Sequence, residues 1–320
     1  MELPPRLRRA VDRMLDGIAL SALAAAAALL SRRYRDEAPG LHVANEIAAL
    51  AYLAVRLPAT YAAARASFAA VADARPEFSP ATMLDVGAGP GTALWAAADC
   101  WPALADAMLI ERSPIFRALG ERLAGEVSQP RISWHTGDAA ALSIEGAPRD
   151  LVMLSYVLNE LAVEARGELL ERLWRLTTDT LVIVEPGTPA GWRRILAARD
   201  HLIGRGAHLV APCPHGDACP LQPPDWCHFA ERVARSRLHL KVKKADVPWE
   251  DEKFSYLAVS RKESAVAGSR VIARPRKNTG RVSLKLCRPD GSTAEQLFSR
   301  RDGAFYKQAV RLVWGETLVE

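Results

Sequence analysis

Apolar positions in the first 80 residues recur with a period near 3.6, which predicts helices rather than strands. The pattern runs from Leu7 to Leu30 and from Val43 to Leu57, and it continues to Phe68. Breaks are predicted at Pro39-Gly40 and at Pro58. Residues 1–79 are therefore predicted to form an N-terminal helical extension.

From Pro80 onward, short apolar runs alternate with helical patterns, which indicates a parallel sheet covered by helices on both faces. Five strands are predicted, at Thr82–Val86, Met108–Glu111, Ile132–His135, Leu151–Ser155 and Leu181–Glu185. A further strand over Lys253–Ser260 would complete the sheet. We therefore predict a Rossmann-like α/β domain over residues 80–262.

The first predicted strand runs into a turn with three alternating glycines. Asp85 ends the apolar run, Gly87, Gly89 and Gly91 follow, and an Ala/Leu/Trp pattern then opens a helix. Glycine adopts positive φ and lets the backbone approach a ligand, while the start of a helix offers unpaired N–H groups. The turn therefore suits a nucleotide-like ligand, and the alternative is a glycine-rich βα turn that binds nothing.

Three of the five cysteines lie in a loop insertion, residues 213–229, that is rich in Pro, Gly and Asp. Cys213, Cys219 and Cys227 have the spacing Cys-x5-Cys-x7-Cys, and Cys287 lies downstream in the pattern VSLKLC. In a reducing compartment such thiols favour metal ligation over disulfides. An iron–sulfur cluster on the four cysteines, a zinc ion on three cysteines with His215 or His228, and unliganded thiols remain open at this point. The fifth cysteine, Cys100, lies in an apolar helical pattern and is assigned to the core.

The hydrophobic content of 49% and the charged content of 25% are ordinary for a globular protein, but the formal charge of +5 is unevenly distributed. Residues 261–320 hold 13 Lys/Arg and 6 Asp/Glu. Residues 270–314 alternate like short strands, so residues 263–320 are predicted to form a small basic β module. Its candidate RNA-binding residues are Arg274, Arg276, Lys277 and Arg281. Upstream of it, Arg232, Arg235 and Arg237 are assigned to a helix.

The longest apolar run, Ile18–Leu30, has 13 residues and is too short to span a bilayer. Asp12 and Asp16 interrupt the basic residues before it, and SRRYRDE follows it, which is unlike a signal peptide. We therefore expect a cytoplasmic protein without a membrane partner. The richness in alanine and arginine is typical of a GC-rich bacterial genome.

The spacing Asp-x-Gly-x-Gly-x-Gly resembles motif I of the class I S-adenosylmethionine (SAM) methyltransferases. This resemblance implies that Asp85 and the glycine turn lie beneath the methionine part of SAM. It also implies that an acidic residue after the second strand holds the ribose hydroxyls, and Glu111, 26 residues after Asp85, has that position.

The later strand ends supply further candidates by the same resemblance. Asp138, after the third strand, would contact the adenine amine, with a helix N-cap as the alternative. The segment SYVLNEL after the fourth strand would face the transferred methyl group. It lacks an Asn-Pro-Pro-Tyr type tetrad, so Asn159 and Glu160 are the catalytic candidates, and either can instead cap the next helix.

Over most of its length the chain resembles the methyltransferase-like small-ribosomal-subunit assembly family. The resemblance rests on RLPATYAA, LDVGAGPG, SYVLNEL, VEPGTP, APCPH, CPL, DWCHF, EKFSY and the terminal VWG. It implies a class I SAM-binding fold and association with the small ribosomal subunit or its rRNA during assembly. It further implies a 4Fe-4S cluster held by Cys213, Cys219, Cys227 and Cys287.

Three functions follow from these observations. The first is a SAM-dependent methyltransferase acting on rRNA of the small subunit. The second is an assembly factor without turnover, which uses the SAM fold and the cluster as a platform for RNA. The third is a zinc-containing methyltransferase of small molecules. The intact glycine turn and Glu111 favour the first, and the missing tetrad favours the second.

Overall fold

The structure, a computed structural model, describes residues 1–35, 45–126, 130–139, 147–263 and 268–319. The chain begins with four helices, α1 (Pro5–Leu15), α2 (Leu20–Arg35), α3 (Glu46–Val55) and α4 (Leu57–Ala74). No break was predicted within the helical pattern over Leu7–Leu30, but the chain turns at Gly17, whose φ is +73°, and the pattern is divided between α1 and α2. The break predicted at Pro58 occurs at Arg56, between α3 and α4, and Pro58 lies in the first turn of α4, where proline is tolerated. The break predicted at Pro39-Gly40 lies outside the described residues.

Within the described residues, eight strands form the central sheet. They are β1 (Thr82–Val86), β2 (Asp106–Ile110), β3 (Arg131–His135), β4 (Arg149–Ser155), β5 (Thr177–Pro186), β6 (His208–Ala211), β7 (Phe229–Ala234) and β8 (Trp249–Ser260). The order is β3-β2-β1-β4-β5-β8-β6, and β7 pairs with the first half of β8. Strands β1 to β5 are parallel, whereas β8 is antiparallel to both β5 and β6. The parallel strands β1 to β5 confirm the predicted Rossmann-like α/β fold, whereas the antiparallel strands make the sheet mixed and not wholly parallel as predicted.

Helices cover both faces of the sheet, as the nearly continuous apolar strands require. The helices within this part of the chain are α5 (Thr92–Cys100), α6 (Pro114–Ala124), α7 (Val163–Arg175), α8 (Pro189–Ile203) and α9 (Arg237–Lys243). One core joins α1–α6 to one face of the sheet, and a second core joins α7 and α8 to the other. The N-terminal helices are thus packed into the main core.

The basic segment after β6 differs from its prediction. Arg232 lies on strand β7 and not on a helix, and only Arg237 starts α9. The long antiparallel pairing of β7 with β8, from Phe229–Phe254 to Ala234–Trp249, explains the error, because a charge pattern on one strand carries no information about its partner.

The C-terminal residues form a second sheet. Its strands are β9 (Ser269–Val271), β10 (Arg276–Asn278), β11 (Arg281–Cys287), β12 (Thr293–Ser299) and β13 (Thr317–Leu318). Strand β11 pairs with β9, β10 and β12 around a core of its own. The prediction of strands through residue 314 is wrong at its end, because a short helix, α10 (Ala304–Ala309), covers this sheet.

Within the described part of the chain, no single helix is long and apolar enough to cross a membrane. Two bent pairs, α1 with the start of α2 and α3 with α4, reach that length and composition only together, across bends of 114° and 53°.

Candidate functional site

The glycine turn between β1 and α5 has the left-handed backbone that glycine allows. The φ angles of Gly87, Gly89 and Gly91 are +72°, +56° and +77°. The amides of Gly87 and Ala88 donate to the carbonyl oxygen of Ile110 at 2.9 and 3.0 Å, which ties the turn to the end of β2. A Cβ added at Gly87 would lie 2.4 Å from Cγ2 of Val157. The segment that follows β4, residues 156–161 and called here the post-β4 segment, therefore approaches the glycine turn too closely for a side chain at this position.

Glu111, which directly follows β2, contacts the glycine turn. Its Oε2 accepts the Gly89 amide at 2.8 Å, and its Oε1 accepts the Ser113 amide at 2.7 Å. Burial raises the pKa of the Glu111 carboxyl, and these amides oppose that rise. The sequence therefore placed Glu111 correctly at the strand end, and the structure adds that it shapes the glycine turn itself.

Asp85 is buried at 1% exposure, and neither of its carboxylate oxygens has a hydrogen-bond partner among the described residues. Burial, followed by repulsion from Glu111, raises the pKa of Asp85 to about 8. Buried carboxylates in native proteins are paired as a rule, so an unpaired one beside a glycine turn is suited to a ligand that brings a donor or a cation.

The remaining cofactor and catalytic candidates lie around the same strand ends. Asp138 accepts from Nη1 of Arg112 at 3.1 Å. Asn159 and Glu160 form a short 3-10 turn after β4, and Oδ1 of Asn159 is buried without a partner among the described residues. Burial raises the pKa of Glu160 to about 7, and Glu111 and Asp138 are near enough to contribute to that rise.

Two features around these strand ends were not predicted from the sequence. Glu185, fully buried at the end of β5, accepts the Leu158 amide at 3.0 Å and pairs with Nε of Arg194 at 2.6 Å. Glu185 therefore holds the post-β4 segment in place through the Leu158 amide. Burial raises its pKa to about 7. The available signal was an acidic residue at the end of the otherwise apolar run LVIVE.

The second missed feature connects the helical extension to the pocket. Arg56, between α3 and α4, donates to both carboxylate oxygens of Glu252 at 3.1 Å. The Tyr156 hydroxyl donates to the same carboxylate at 3.0 Å, and Tyr156, which directly follows β4, has a positive φ of +58°. A bulky residue in that backbone region is strained, and such strain clusters at ligand sites.

The four predicted cysteines lie together around one cavity, whose empty space including its mouth is about 590 Å³. Three come from the irregular segment between β6 and β7, and Cys287 ends β11 of the second sheet. The loop is tied to the central sheet, because Ser255 donates to the Cys227 carbonyl at 2.8 Å and Nε1 of Trp226 donates to the Gly187 carbonyl at 3.0 Å.

Burial dominates the electrostatics of these thiols. It raises the pKa of Cys287 to about 12 and the pKa of Cys227 well above its usual range. Nε2 of His215 lies 3.5 Å from Sγ of Cys287, whereas His228 stacks on Trp226. In the described ranges, no three His, Cys, Asp or Glu side chains converge as a single-ion site would require. Cys100 ends α5 beside Arg65 and Asp99, apart from the other four.

The basic candidates of the C-terminal sheet fall into two groups. Nη2 of Arg274 lies 3.3 Å from Oδ2 of Asp251, and Arg276 pairs with Glu295. Lys277 and Arg281 are exposed, and no ion pair to either occurs within the residues that the structure describes.

This chain is similar in sequence to one protein family and to individual proteins. The family described as mitochondrial small ribosomal subunit Rsm22 matches residues 46–319. The mitochondrial ribosome assembly protein METTL17 of Homo sapiens is 31% identical over 287 residues, which is 84% of this chain and 62% of that protein. The mitochondrial Rsm22-cox11 tandem protein 2 of Schizosaccharomyces pombe is 22% identical over 73% of this chain and 38% of its own length. The chain thus spans less than two thirds of the relatives that it matches.

Among solved structures, the magnesium protoporphyrin IX methyltransferase ChlM of Synechocystis PCC 6803, with bound SAM, is similar to 72% of this chain. The match covers 90% of that protein with a TM-score of 0.42 and 15% sequence identity.

Proposed function

The chain belongs to the Rsm22 family of mitochondrial small ribosomal subunit proteins, and from this premise we propose that it binds SAM and a 4Fe-4S cluster and acts on the small ribosomal subunit or its rRNA during assembly. The observation that carries the proposal is the family match over residues 46–319, which includes both the glycine turn and the cysteine cavity. The whole-protein activity is proposed as methyl transfer to rRNA.

The glycine turn supports SAM as the ligand of the pocket. When bound, SAM supplies an electrophilic methyl group on a sulfonium. The Gly87–Gly91 turn would accommodate the methionine part, and the unpaired carboxylate of Asp85 matches its ammonium group. Glu111 would accept from the ribose hydroxyls, and Asp138 from the adenine amine. With Glu160, these three residues make four acidic side chains around the site, which suit a cofactor that carries positive charge at its reacting centre.

The post-β4 segment would face the methyl group. Glu185 holds the Leu158 amide, and Val157 packs against Gly87, so Asn159 and Glu160 are held next to the turn. With a pKa of about 7, Glu160 can accept a proton near neutral pH. We therefore propose Glu160 as the group that removes a proton from the methyl acceptor.

The cysteine cavity fits an iron–sulfur centre by the chemistry of its donors. Four thiols line one space, and thiolates are the ligands of 4Fe-4S clusters. Cys213, Cys219, Cys227 and Cys287 would hold the cluster. Because Cys287 belongs to the second sheet and the other three to the loop, the group would fasten that sheet to the central one.

Iron analysis tests the cysteine site. Protein purified without oxygen should be brown, with absorbance near 400 nm and about four irons per chain. Cys287→Ser should lose most of the iron, whereas the matched control Cys100→Ser should keep it. A colourless wild type with one tightly bound zinc would contradict the cluster and favour the third function.

The small subunit is supported as the partner by the printed names of the family and of its human relative. The excess of positive charge in residues 261–320 is consistent with contact to phosphates. Lys277 and Arg281 are the most available of the four candidates, since Arg274 and Arg276 already pair with carboxylates.

A second candidate function is an assembly factor without turnover. The name of the human relative, a ribosome assembly protein, favours it. Methyl transfer from labelled SAM to immature small subunits separates the two functions. Transfer to rRNA by the wild type, lost in Glu160→Gln with SAM binding retained, supports the enzyme. Binding of SAM and of subunits without any transfer supports the assembly factor.

A further inference from the structure

Two buried arginines share the cavity of the four cysteines. Arg199, on α8, is 2% exposed, and Arg270, on β9, is 8% exposed. Both line the cavity together with Cys213 and Cys287. One comes from the central part of the chain and the other from the second sheet, as the cysteines do.

The hydrogen bonds of these guanidiniums go mainly to backbone carbonyls. Nη2 of Arg199 donates to His215 at 2.9 Å and to Asp217 at 2.7 Å. Nε of Arg270 donates to Pro212 at 3.0 Å, and Nη1 donates to Gly315 at 2.7 Å. Carbonyl oxygens satisfy the donors without neutralising the charge.

Neither guanidinium has a buried carboxylate partner in the described part of the chain. The one carboxylate that contacts Arg199 belongs to Asp200, whose side chain is 69% exposed, and Nε of Arg199 is buried without a partner. Other buried arginines are neutralised, since Arg75 pairs with Asp179 and Arg194 pairs with Glu185.

Two buried cations without counter-charge are costly, because the interior solvates charge poorly. The counter-charge available in this cavity is that of the thiols. Four thiolates around a 4Fe-4S core of charge 2+ carry a net charge of −2, which matches the two guanidiniums. Four neutral thiols would leave both cations uncompensated.

We propose that Arg199 and Arg270 are the counter-charge of a dianionic inorganic centre held by the four cysteines, and that they set its reduction potential. The inference rests on the cluster of the proposed function. When a one-electron donor reduces the centre, its net charge changes from −2 to −3, and no proton or bond is transferred. Two nearby cations stabilise the −3 state more than the −2 state, so they raise the potential.

The test uses the full chain reconstituted anaerobically with ferrous iron and sulfide. The midpoint potential is measured by dithionite titration with electron paramagnetic resonance, together with iron per chain. We expect Arg199→Gln and Arg270→Gln to lower the equilibrium constant for reduction at least tenfold, which is about 59 mV for one electron. Arg199→Lys and Arg270→Lys keep the positive charge, so their midpoint potentials should stay close to that of the wild type.

Arg75→Gln is the matched control, because it removes a buried arginine away from the cavity. It should destabilise the fold and leave the potential unchanged. Glutamine variants that hold iron at the wild-type potential, or lysine variants that behave like glutamine, would overturn the counter-charge role while leaving the cluster in place. A wild type that stays colourless after reconstitution would remove the cluster and the counter-charge together.

Discussion

At the scale of single residues, Asp85 is the most unusual group in the pocket. The sequence predicted its place at the end of β1, because an acidic residue before alternating glycines is a local pattern. Its burial at 1% and its lack of a partner depend on its neighbours in the sheet, Leu109 on β2 and Met153 on β4, and on the nearby Glu111. Those contacts join distant parts of the chain, which a local pattern cannot report.

Replacing Asp85 with Asn should change how stability depends on pH. The pKa of Asp85 is raised from 3.8 to about 8 in the folded protein, so the folded state holds a proton that the unfolded state releases. Wild-type stability without SAM should therefore fall as pH rises from about 4 to about 8, and a permanently neutral side chain removes that loss. We subtract the free energy of unfolding of the wild type from that of Asp85→Asn, both measured with urea. This difference should be larger at pH 9 than at pH 5 by at least about 1.4 kcal/mol, which corresponds to one pKa unit. Parallel profiles would contradict this burial of charge.

A substitution at Gly87 tests the close approach of Val157 to the glycine turn. Gly87→Ala and Gly17→Ala place a side chain at nearly the same φ, +72° and +73°, but only the Cβ at Gly87 meets an atom within 4 Å. Both changes strain the backbone, and the first also displaces Val157. We expect Gly87→Ala to lower the free energy of unfolding by about 1 to 3 kcal/mol more than Gly17→Ala, the usual cost of overpacking. Equal losses in urea titrations would show that Val157 gives way freely.

At the scale of elements, the sequence predicted β1 and the α/β alternation well, since each depends on local apolar periodicity. It failed where a partner decides the structure. Arg232 looked helical, but the pairing of β7 with β8 makes it part of a strand. The helical pattern over Leu7–Leu30 divides at Gly17, and apolar spacing alone did not reveal that break. The role of Arg56 also escaped, because its partner Glu252 is 196 residues away.

The ion pair of Arg56 with Glu252 should hold the start of α4 to the sheet. Both side chains are largely buried, at 16% and 12% exposure, and the same carboxylate accepts from Tyr156. Because Arg56→Met leaves a buried carboxylate without its cation, we expect a loss of about 3 kcal/mol in the free energy of unfolding. The control Arg8→Met breaks an exposed pair with Glu2 and should cost less than about 1 kcal/mol. Similar losses in the two variants would contradict this role.

At the scale of the whole molecule, the cysteine cavity lies where the central sheet, the loop and the C-terminal sheet meet. Family membership and fold are confirmed, whereas the boundaries at residues 79 and 262, the site residues and the cytoplasmic location stay predictions. The sequence offered Cys287 as the remaining downstream cysteine that could complete the set of four, and the resemblance implied the same set, but spacing alone does not show that Cys287 returns to the loop. The two buried arginines of the cavity carried no signal at all, since burial of a cation is a property of packing.

RNA binding should depend on the charge of the C-terminal sheet. Each phosphate contact by a cation releases counterions, so the affinity should fall steeply with salt. Lys277→Ala with Arg281→Ala should reduce the slope of log K against log salt by about 1.4 to 1.8, the value for two contacts. Arg274→Ala with Arg276→Ala should have a smaller effect, because both cations pair with carboxylates. Filter binding to small-subunit rRNA measures both slopes.

The matched control for that measurement is Arg172→Ala with Arg175→Ala on α7, which removes the same charge elsewhere. An unchanged slope for the Lys277 and Arg281 variant, or an equal change for the α7 variant, would contradict a specific RNA surface on the C-terminal sheet.

The most direct test of the account is to follow methyl-labelled SAM through sedimentation of small-subunit precursors mixed with the cluster-loaded protein. The labelled methyl group sediments with the particles in two cases: when SAM stays bound to the protein on the particle, and when the methyl group has been transferred to rRNA. We predict label in the small-subunit peak with the wild type, little with Gly87→Val or Cys287→Ser, and none in the large-subunit peak. Absence of label from the small subunit, or equal label on both subunits, would contradict the proposed function.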